Sequence, residues 1–389
     1  MRSEPNYNTI PVGQLGIIAL PGCEELANKI DNYLIRWRFQ RNSEHKDTLA
    51  FAGYEKSTYL INMDFPRFGT GEGKAALNQT VRGYDIYILC DVFNYGVTYK
   101  MYGITVPMSP DEHFANLKRA ISAIEGKAKR VSVIMPMLYE GRQHKRSSRE
   151  SLDCAMMLQE LHNMGVENFI TFDAHDPRVM NAIPLCGFES ISPAYQMIKA
   201  AVNNVDNLKI NKDNIMIISP DEGGMSRCIY YSTVLGFELG MFYKRRDFSR
   251  IVDGRNPIIA HEFLGDNVEG KDVIIVDDMI SSGESMIEVA TKLKELKAAR
   301  IYIFSAFGLF CNGFDAFDKA FQEGIIDRVF TTNLIYGTPE LLSKDWYIRV
   351  DMSKYLSYII DTLNHDTSIS DLLDPAEKIN TLLEKKGLK

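Results

Sequence analysis

The chain has 389 residues, 45% of them hydrophobic, and a formal net charge of -7. That length sets a prior of about two domains and permits a large buried core. The acidic balance argues against a nucleic-acid or polyanion-coating role, which usually needs a basic face. Six cysteines are scattered at Cys23, Cys90, Cys154, Cys186, Cys228 and Cys311. They form no CxxC pair or short-spaced framework, so they read as reduced thiols of a cytoplasmic protein. A polar N-terminal stretch, and no apolar run of about 18 residues, predict a soluble chain without a membrane span.

Short Val- and Ile-rich runs recur at 84–90, 131–138, 166–172, 214–219, 272–277, 300–307 and 328–335. Continuous runs of this kind are what parallel strands covered on both faces require. Between them, 151–164 and 284–297 place apolar residues three and four apart, as one-sided helices do. The alternation predicts an α/β fold with parallel sheets and ligands outside the carboxyl ends of the strands. Residues 38–58 and 91–112 read as loops or small insertions, and the tail from about 354 as helix docked on the body.

The residues leaving each strand are therefore the candidates. In YEGRQHKRSSRES (139–151), four cations can neutralise a polyphosphate: Arg142, Lys145, Arg146 and Arg149. Arg142 suits a bidentate grip on phosphate oxygens, with Gln143 and His144 adding directional hydrogen bonds. A solvated basic loop is the other reading. In DAHDPRV (173–179), His175 between Asp173 and Asp176 suits a divalent ion or a metal-bound phosphate, or else a structural histidine. In PDEGGMSR (220–227), Asp221 precedes glycines that allow close backbone approach, so it is a metal or hydroxyl partner or simply part of a turn.

FYKRRDFSR (242–250) ends an apolar strand in three cations. Lys244 and Arg246 point the same way if the segment is extended, and they suit stabilising charge on a transferring phosphoryl group. A charged strand exit is the alternative. In VIIVDDMISSGES (273–285), Asp277 and Asp278 can accept hydrogen bonds from vicinal ribose hydroxyls. Ser281, Ser282, Gly283 and Ser285 can offer hydroxyls and amides to a phosphate at a helix start. A capping box of Ser281 with Glu284 would satisfy that helix end without a ligand, but it gives no reason for the paired acids.

In order over most of residues 14–352, these motifs resemble the ribose-phosphate diphosphokinases, or phosphoribosyl diphosphate synthetases. The resemblance implies an α/β fold of two phosphoribosyltransferase-like domains, each a mainly parallel sheet flanked by helices. These are 1–190 on the ATP side and 191–353 with the ribose phosphate and catalytic loops, followed by a helical tail, 354–389. It implies transfer of diphosphate from ATP to the anomeric hydroxyl of ribose 5-phosphate with Mg2+, for nucleotide biosynthesis, by a homo-oligomer, a dimer or a hexamer. By the same resemblance Lys244 and Arg246 stabilise the transition state, and Arg142, Gln143 and His175 contact ATP. PRFGTGEG (66–73) supplies Phe68 to stack on adenine and Glu72 to hold its edge, and in relatives it reaches a neighbouring subunit. Asp221, Asp277, Asp278, Ser281, Ser282, Gly283 and Ser285 line the acceptor site, with His175 and Asp221 at the metal.

Departures from the family pattern mark a divergent branch. Thr70, His144 and Ser281 stand where acids are usual, and Glu284 where Gly is usual. The readings kept beside this one are the same chemistry on a larger ester such as ADP-ribose, a type I phosphoribosyltransferase, and a non-catalytic regulatory paralogue.

Overall fold

A computed structural model describes residues 9–42, 51–205, 208, 213–246 and 258–387, with the backbone alone at 42, 244–246 and 258–261. The chain divides into two compact units. One comprises Met1–Ser192, Asn333–Tyr336 and Asp351–Asp374, the other Pro193–Thr332, Gly337–Val350 and Pro375–Lys389. Among the described residues, no helix is long and apolar enough to cross a membrane.

The first unit runs β1 (Gln14–Ala19), α1 (Glu24–Asn42), β2 (Met63–Asp64), β3 (Ala76–Leu77), β4 (Tyr84–Leu89), β5 (Thr98–Met101), β6 (Ile104–Pro107), α2 (Pro110–Ile124), β7 (Arg130–Ile134), α3 (Asp153–Asn163), β8 (Asn168–Phe172) and β9 (Gly187–Ile191). Its main sheet has the order β1-β4-β7-β8-β9, and every pairing is parallel. Residues 59–61 extend it beyond β1, because Ile17 donates its amide to Tyr59 (2.8 Å) and accepts that of Ile61 (2.7 Å). α3 buries Cys154, Met157, Leu158 and Leu161, the i, i+3, i+4, i+7 stripe of a one-sided helix. α2 starts where Ser109 and Glu112 form a reciprocal capping box with Pro110 in the first turn.

The second unit runs α4 (Ala194–Asn204), β10 (Ile215–Ser219), α5 (Met225–Leu235), β11 (Glu238–Arg246), β12 (Ile258–Leu264), β13 (Asp272–Ile280), α6 (Glu284–Glu295), β14 (Ile301–Gly308), α7 (Asp315–Gln322), β15 (Arg328–Thr332), α8 (Pro339–Leu342) and β16 (Tyr347–Val350). The sheet order is β12-β11-β10-β13-β14-β15-β16, parallel except for the edge strand β12. α6 buries Met286, Val289, Ala290 and Leu293 in one stripe. Each of its larger apolar side chains contributes roughly 1.5 to 3 kcal/mol by leaving water.

Several sequence boundaries change. The strand expected at 272–277 continues to Ile280, because β14 goes on pairing with it as far as Ile280 opposite Gly308. Residues 38–42 are the last turn of α1 rather than loop. Arg38 is held there at 1% exposure by Asp361 of α9 (Ser353–Asn364), to which it donates through Nε (3.0 Å) and Nη2 (2.7 Å). Residues 43–50 of that segment lie outside the described residues. The stretch 91–112 is not an insertion loop throughout, since it forms the antiparallel hairpin β5–β6 and enters α2. The tail is shared: α9 packs on α1 in the first unit, and α11 (Ala376–Lys385) on α4 and α5 in the second, after the short α10 (Ser370–Leu373).

Candidate active site

In the second unit the chain leaves β10 for β11 on one side and resumes through β13 to β14 on the other. A reversal of this kind opens a crevice at the carboxyl ends of the strands where the order switches. Pairing of β10 with β13 stops at Ile275, so Asp277 and Asp278 extend past the last β10 rung. The turn after β10 is an Asx turn. Asp221 Oδ1 accepts the amides of Gly223 (2.9 Å) and Gly224 (3.2 Å), while the Ser219 hydroxyl donates to the Asp221 carbonyl (2.7 Å).

That turn launches α5, whose Arg227 brings Nη1 within 3.7 Å of Asp277 Oδ1. The Asp277 carboxylate also accepts the Asp278 amide at 2.9 Å. Burial and the adjacent Asp278 charge push the Asp277 carboxyl well above the ordinary carboxylate range, and Arg227 pulls against them. The two acids are unequal, for Asp277 keeps 21% of its side chain exposed and Asp278 only 3% of its surface.

After β13 the chain turns through Ser281, Ser282 and Gly283. Gly283 has φ 88° and is the N-cap of α6, and a Cβ there would overlap the Phe317 ring. Only glycine meets both demands. The capping box does not form: the helix begins at Glu284, so Ser281 is too far back to cap it. The Glu284 amide instead donates to Ser282 Oγ (3.4 Å), and its Oε1 accepts from Asn312 Nδ2 (3.1 Å). Ser285, in the first turn, is exposed. The first amides of an α-helix lack partners inside the helix and carry its positive end. Ser281 bonds through its carbonyl to the Cys311 amide (2.8 Å), and the Cys311 thiol is exposed.

In the first unit, the loop after β7 is folded by Gln143. Its amide donates to the Glu140 carbonyl (2.8 Å) and its Nε2 to the Ser151 carbonyl (2.8 Å), so this side chain closes the loop. Arg142 beside it is exposed. The loop after β8 presents an exposed His175. Asp176 accepts the Arg178 amide (3.0 Å) and three guanidinium bonds, from Nε at 2.9 and 3.1 Å and from Nη2 at 2.6 Å. These bonds hold the Asp176 carboxyl down at about 2 and occupy it within its own loop. His144 joins the two loops, 3.4 Å from Asp176, and burial lowers its basicity more than Asp176 restores it.

Phe68 and Glu72 share a separate tight turn. Phe68 donates its amide to the Glu72 carbonyl (2.8 Å) and accepts that of Gly71 (2.9 Å), and Tyr102 of the β5–β6 turn donates to Gly69 (2.8 Å). Phe68 is 56% exposed, and Thr70 donates to Glu72 Oε2 at 2.8 Å. Lys244 and Arg246 lie on β11, opposite His261 and Ile258 of β12 with a bulge at 245–246. Their side chains, and residues 247–250 of the same motif, lie outside the described residues. Arg227 and Asn312 were not singled out in the sequence. Arg227 stands inside the quoted PDEGGMSR motif, whereas no local signal marks Asn312.

The first unit also has a chain reversal, between β1 and β4, where the chain first adds residues 59–61 and then returns. There the protein fills its own strand ends. Asp91 accepts the amides of Phe93 (3.0 Å) and Tyr336 (2.7 Å), and Asn94 donates to the Gly22 carbonyl (3.2 Å). The paired acids and the Ser/Gly turn that follows them lie in the second unit, at the end of β13. Together the two sheets define a protein built of two phosphoribosyltransferase-type α/β domains.

Comparison with known proteins narrows the class. Residues 15–165 match the N-terminal domain of ribose phosphate pyrophosphokinase, 188–308 a phosphoribosyl transferase domain, and 250–374 a phosphoribosyl synthetase-associated domain. The chain is 26% identical over 313 residues to the ribose-phosphate pyrophosphokinase of Vibrio parahaemolyticus, covering 79% of this chain and 90% of the relative. It is 27% identical over 307 residues to that of Shewanella oneidensis, covering 78% and 88%. The crystal structure of phosphoribosylpyrophosphate synthetase from Mycobacterium smegmatis shares the fold, with a TM-score of 0.70 at 18% identity over 91% of this chain and 99% of that one. The chain belongs to the ribose-phosphate pyrophosphokinase family, as a divergent member of these transferases.

Proposed function

We propose that this enzyme transfers the terminal diphosphate of ATP to the anomeric hydroxyl of ribose 5-phosphate, giving phosphoribosyl diphosphate and AMP. The observation that carries the reading is the switch between β10 and β13 in a family member, with the Asp221 turn leaving β10 and Asp277 and the Ser281–Ser285 turn at the end of β13. Asp277 and Asp278 accept from the ribose hydroxyls. Ser281, Ser282, Gly283 and Ser285, with the first amides of α6, receive the 5-phosphate.

The acceptor oxygen attacks the β-phosphorus in line. A new bond forms from that oxygen to phosphorus, the bond from phosphorus to the α–β bridging oxygen breaks, and AMP leaves. In such transfers the protein mainly positions the groups and stabilises spreading charge. Lys244 and Arg246 are assigned to that charge, and Arg142, Gln143 and His175 to ATP, with Phe68 on the adenine and Glu72 at its edge.

Among the described residues, no group of three His, Cys, Asp or Glu side chains can hold a metal by itself. Magnesium is typically bound by one or two carboxylates together with substrate phosphates and water, and the Asp221 carboxylate is a ligand of that kind. Asp221 in the second unit and His175 in the first are each assigned to magnesium, which would neutralise phosphate charge. The active form is proposed to be a homo-oligomer, a dimer or a hexamer. The reading is tested with Lys244→Ala and Arg246→Ala: each should lower turnover far more than it weakens ATP binding. Near-normal turnover in both variants would remove the catalytic assignment.

A further inference from the structure

His144 stands between a fixed carboxylate and an exposed imidazole. Its Nε2 is 3.4 Å from Asp176 Oδ2 with its side chain 10% exposed, and its ring meets that of His175 with centroids 5.3 Å apart at 61°. Asp176 cannot swing away, since Arg178 grips both of its oxygens and its carboxylate caps the following 3-10 turn, Pro177–Ala182. The line of contact thus runs from a locked anion through a buried ring to His175.

Taking most of an imidazole out of water is costly, and an apolar side chain of similar size would avoid that cost. What the apolar side chain would lose is the electrostatic approach of Nε2 to the Asp176 carboxylate, and a non-aromatic one would also lose the ring-edge contact with His175. A side chain already held in its binding orientation loses less rotamer entropy when it binds.

We propose that His144 is a positioning residue that presets the orientation of the His175 imidazole toward the ATP phosphates, with Asp176 anchoring His144. This rests on the assignment of His175 to ATP. The experiment compares His144→Ala, His144→Phe, His175→Ala and the double variant His144→Ala/His175→Ala. The readouts are equilibrium ATP binding, kcat, KM for both substrates, thermal midpoint, and the imidazole 15N spectrum of the ligand-free protein.

His144→Ala should weaken ATP binding about fivefold to tenfold, as loss of an aromatic contact does. KM for ribose 5-phosphate should be unchanged, and the His175 resonances should shift or broaden while those of His365 stay in place. The double variant should bind ATP no worse than His175→Ala alone, because the two residues act as one unit. His144→Phe keeps a ring-edge contact without the Asp176 approach and should fall in between; it also carries the comparison if His144→Ala does not fold. Additive losses in the double variant, or an unaltered His175 spectrum, would overturn the inference. If His175→Ala itself left ATP binding unchanged, the ATP assignment would fail first, and the inference with it.

Discussion

Arg227 Nη1 lies 3.7 Å from Asp277 Oδ1, one cation set against the adjacent acids Asp277 and Asp278. Removing it leaves Asp277 with burial and a like charge, both of which favour the protonated form. Arg227→Met should therefore raise KM for ribose 5-phosphate several-fold at pH 7, as the Asp277 carboxyl moves further above the ordinary range. Affinity should recover as pH rises and the carboxyl ionises. Parallel KM–pH profiles for the two enzymes would show that Arg227 does not hold Asp277 charged.

Gly283→Ala should destabilise the second unit. The backbone is at φ 88°, a conformation that costs an L side chain about 1 to 2 kcal/mol, and the new methyl overlaps the buried Phe317 ring. Urea unfolding should show a loss of about 2 kcal/mol or more. An unchanged midpoint would mean that the turn relaxes freely.

Glu284→Gln should improve acceptor binding. The carboxylate sits in the first turn of α6, held by Asn312 at 3.1 Å, so its charge opposes a phosphate at the same helix end. Neutralising it while keeping an amide that Asn312 can still reach should lower KM for ribose 5-phosphate by about twofold to fivefold, and less at high salt. A raised KM would show that the carboxylate serves the site.

Asp91 makes folding pH-dependent in the neutral range. Burial lifts its carboxyl from 3.8 to about 7, against the amides of Phe93 and Tyr336. For a group raised on folding, the stability contribution is fully present below the unfolded value and is lost as pH rises through the folded one. The window is therefore pH 4 to 7, with a limiting slope of about 1.4 kcal/mol per pH unit. Asp91→Asn should flatten the thermal midpoint between pH 5 and 7.5 relative to the wild type. An identical pH dependence would place the titrating group elsewhere.

Periodic features were readable because apolar spacing alone determines them. The stripe of α6 and the buried β14 follow from residue type and spacing, and the turn after β13 carries Ser281 and Ser282, with Ser285 in the first turn of α6. Long-range partners were not readable. Arg38 looks like a solvated residue until Asp361 arrives from 323 positions away, and this contact is what makes helix of a segment read as loop. β13 was cut short for a related reason: acids at 277 and 278 end the apolar run, but β14 keeps supplying backbone partners. The box between Ser281 and Glu284 had the right spacing in sequence, yet the αL turn at Gly283 starts the helix later. Arg227 carries no mark of its importance until α5 folds against β13.

The central claim is that ATP gives up its diphosphate intact to the anomeric oxygen of ribose 5-phosphate. It is tested most directly with ATP labelled at the β-phosphorus, supplied with magnesium and either ribose 5-phosphate or ADP-ribose. With ribose 5-phosphate, the label should appear in phosphoribosyl diphosphate, alongside one equivalent of unlabelled AMP. Label in ADP or free phosphate, or transfer only to ADP-ribose, would contradict it.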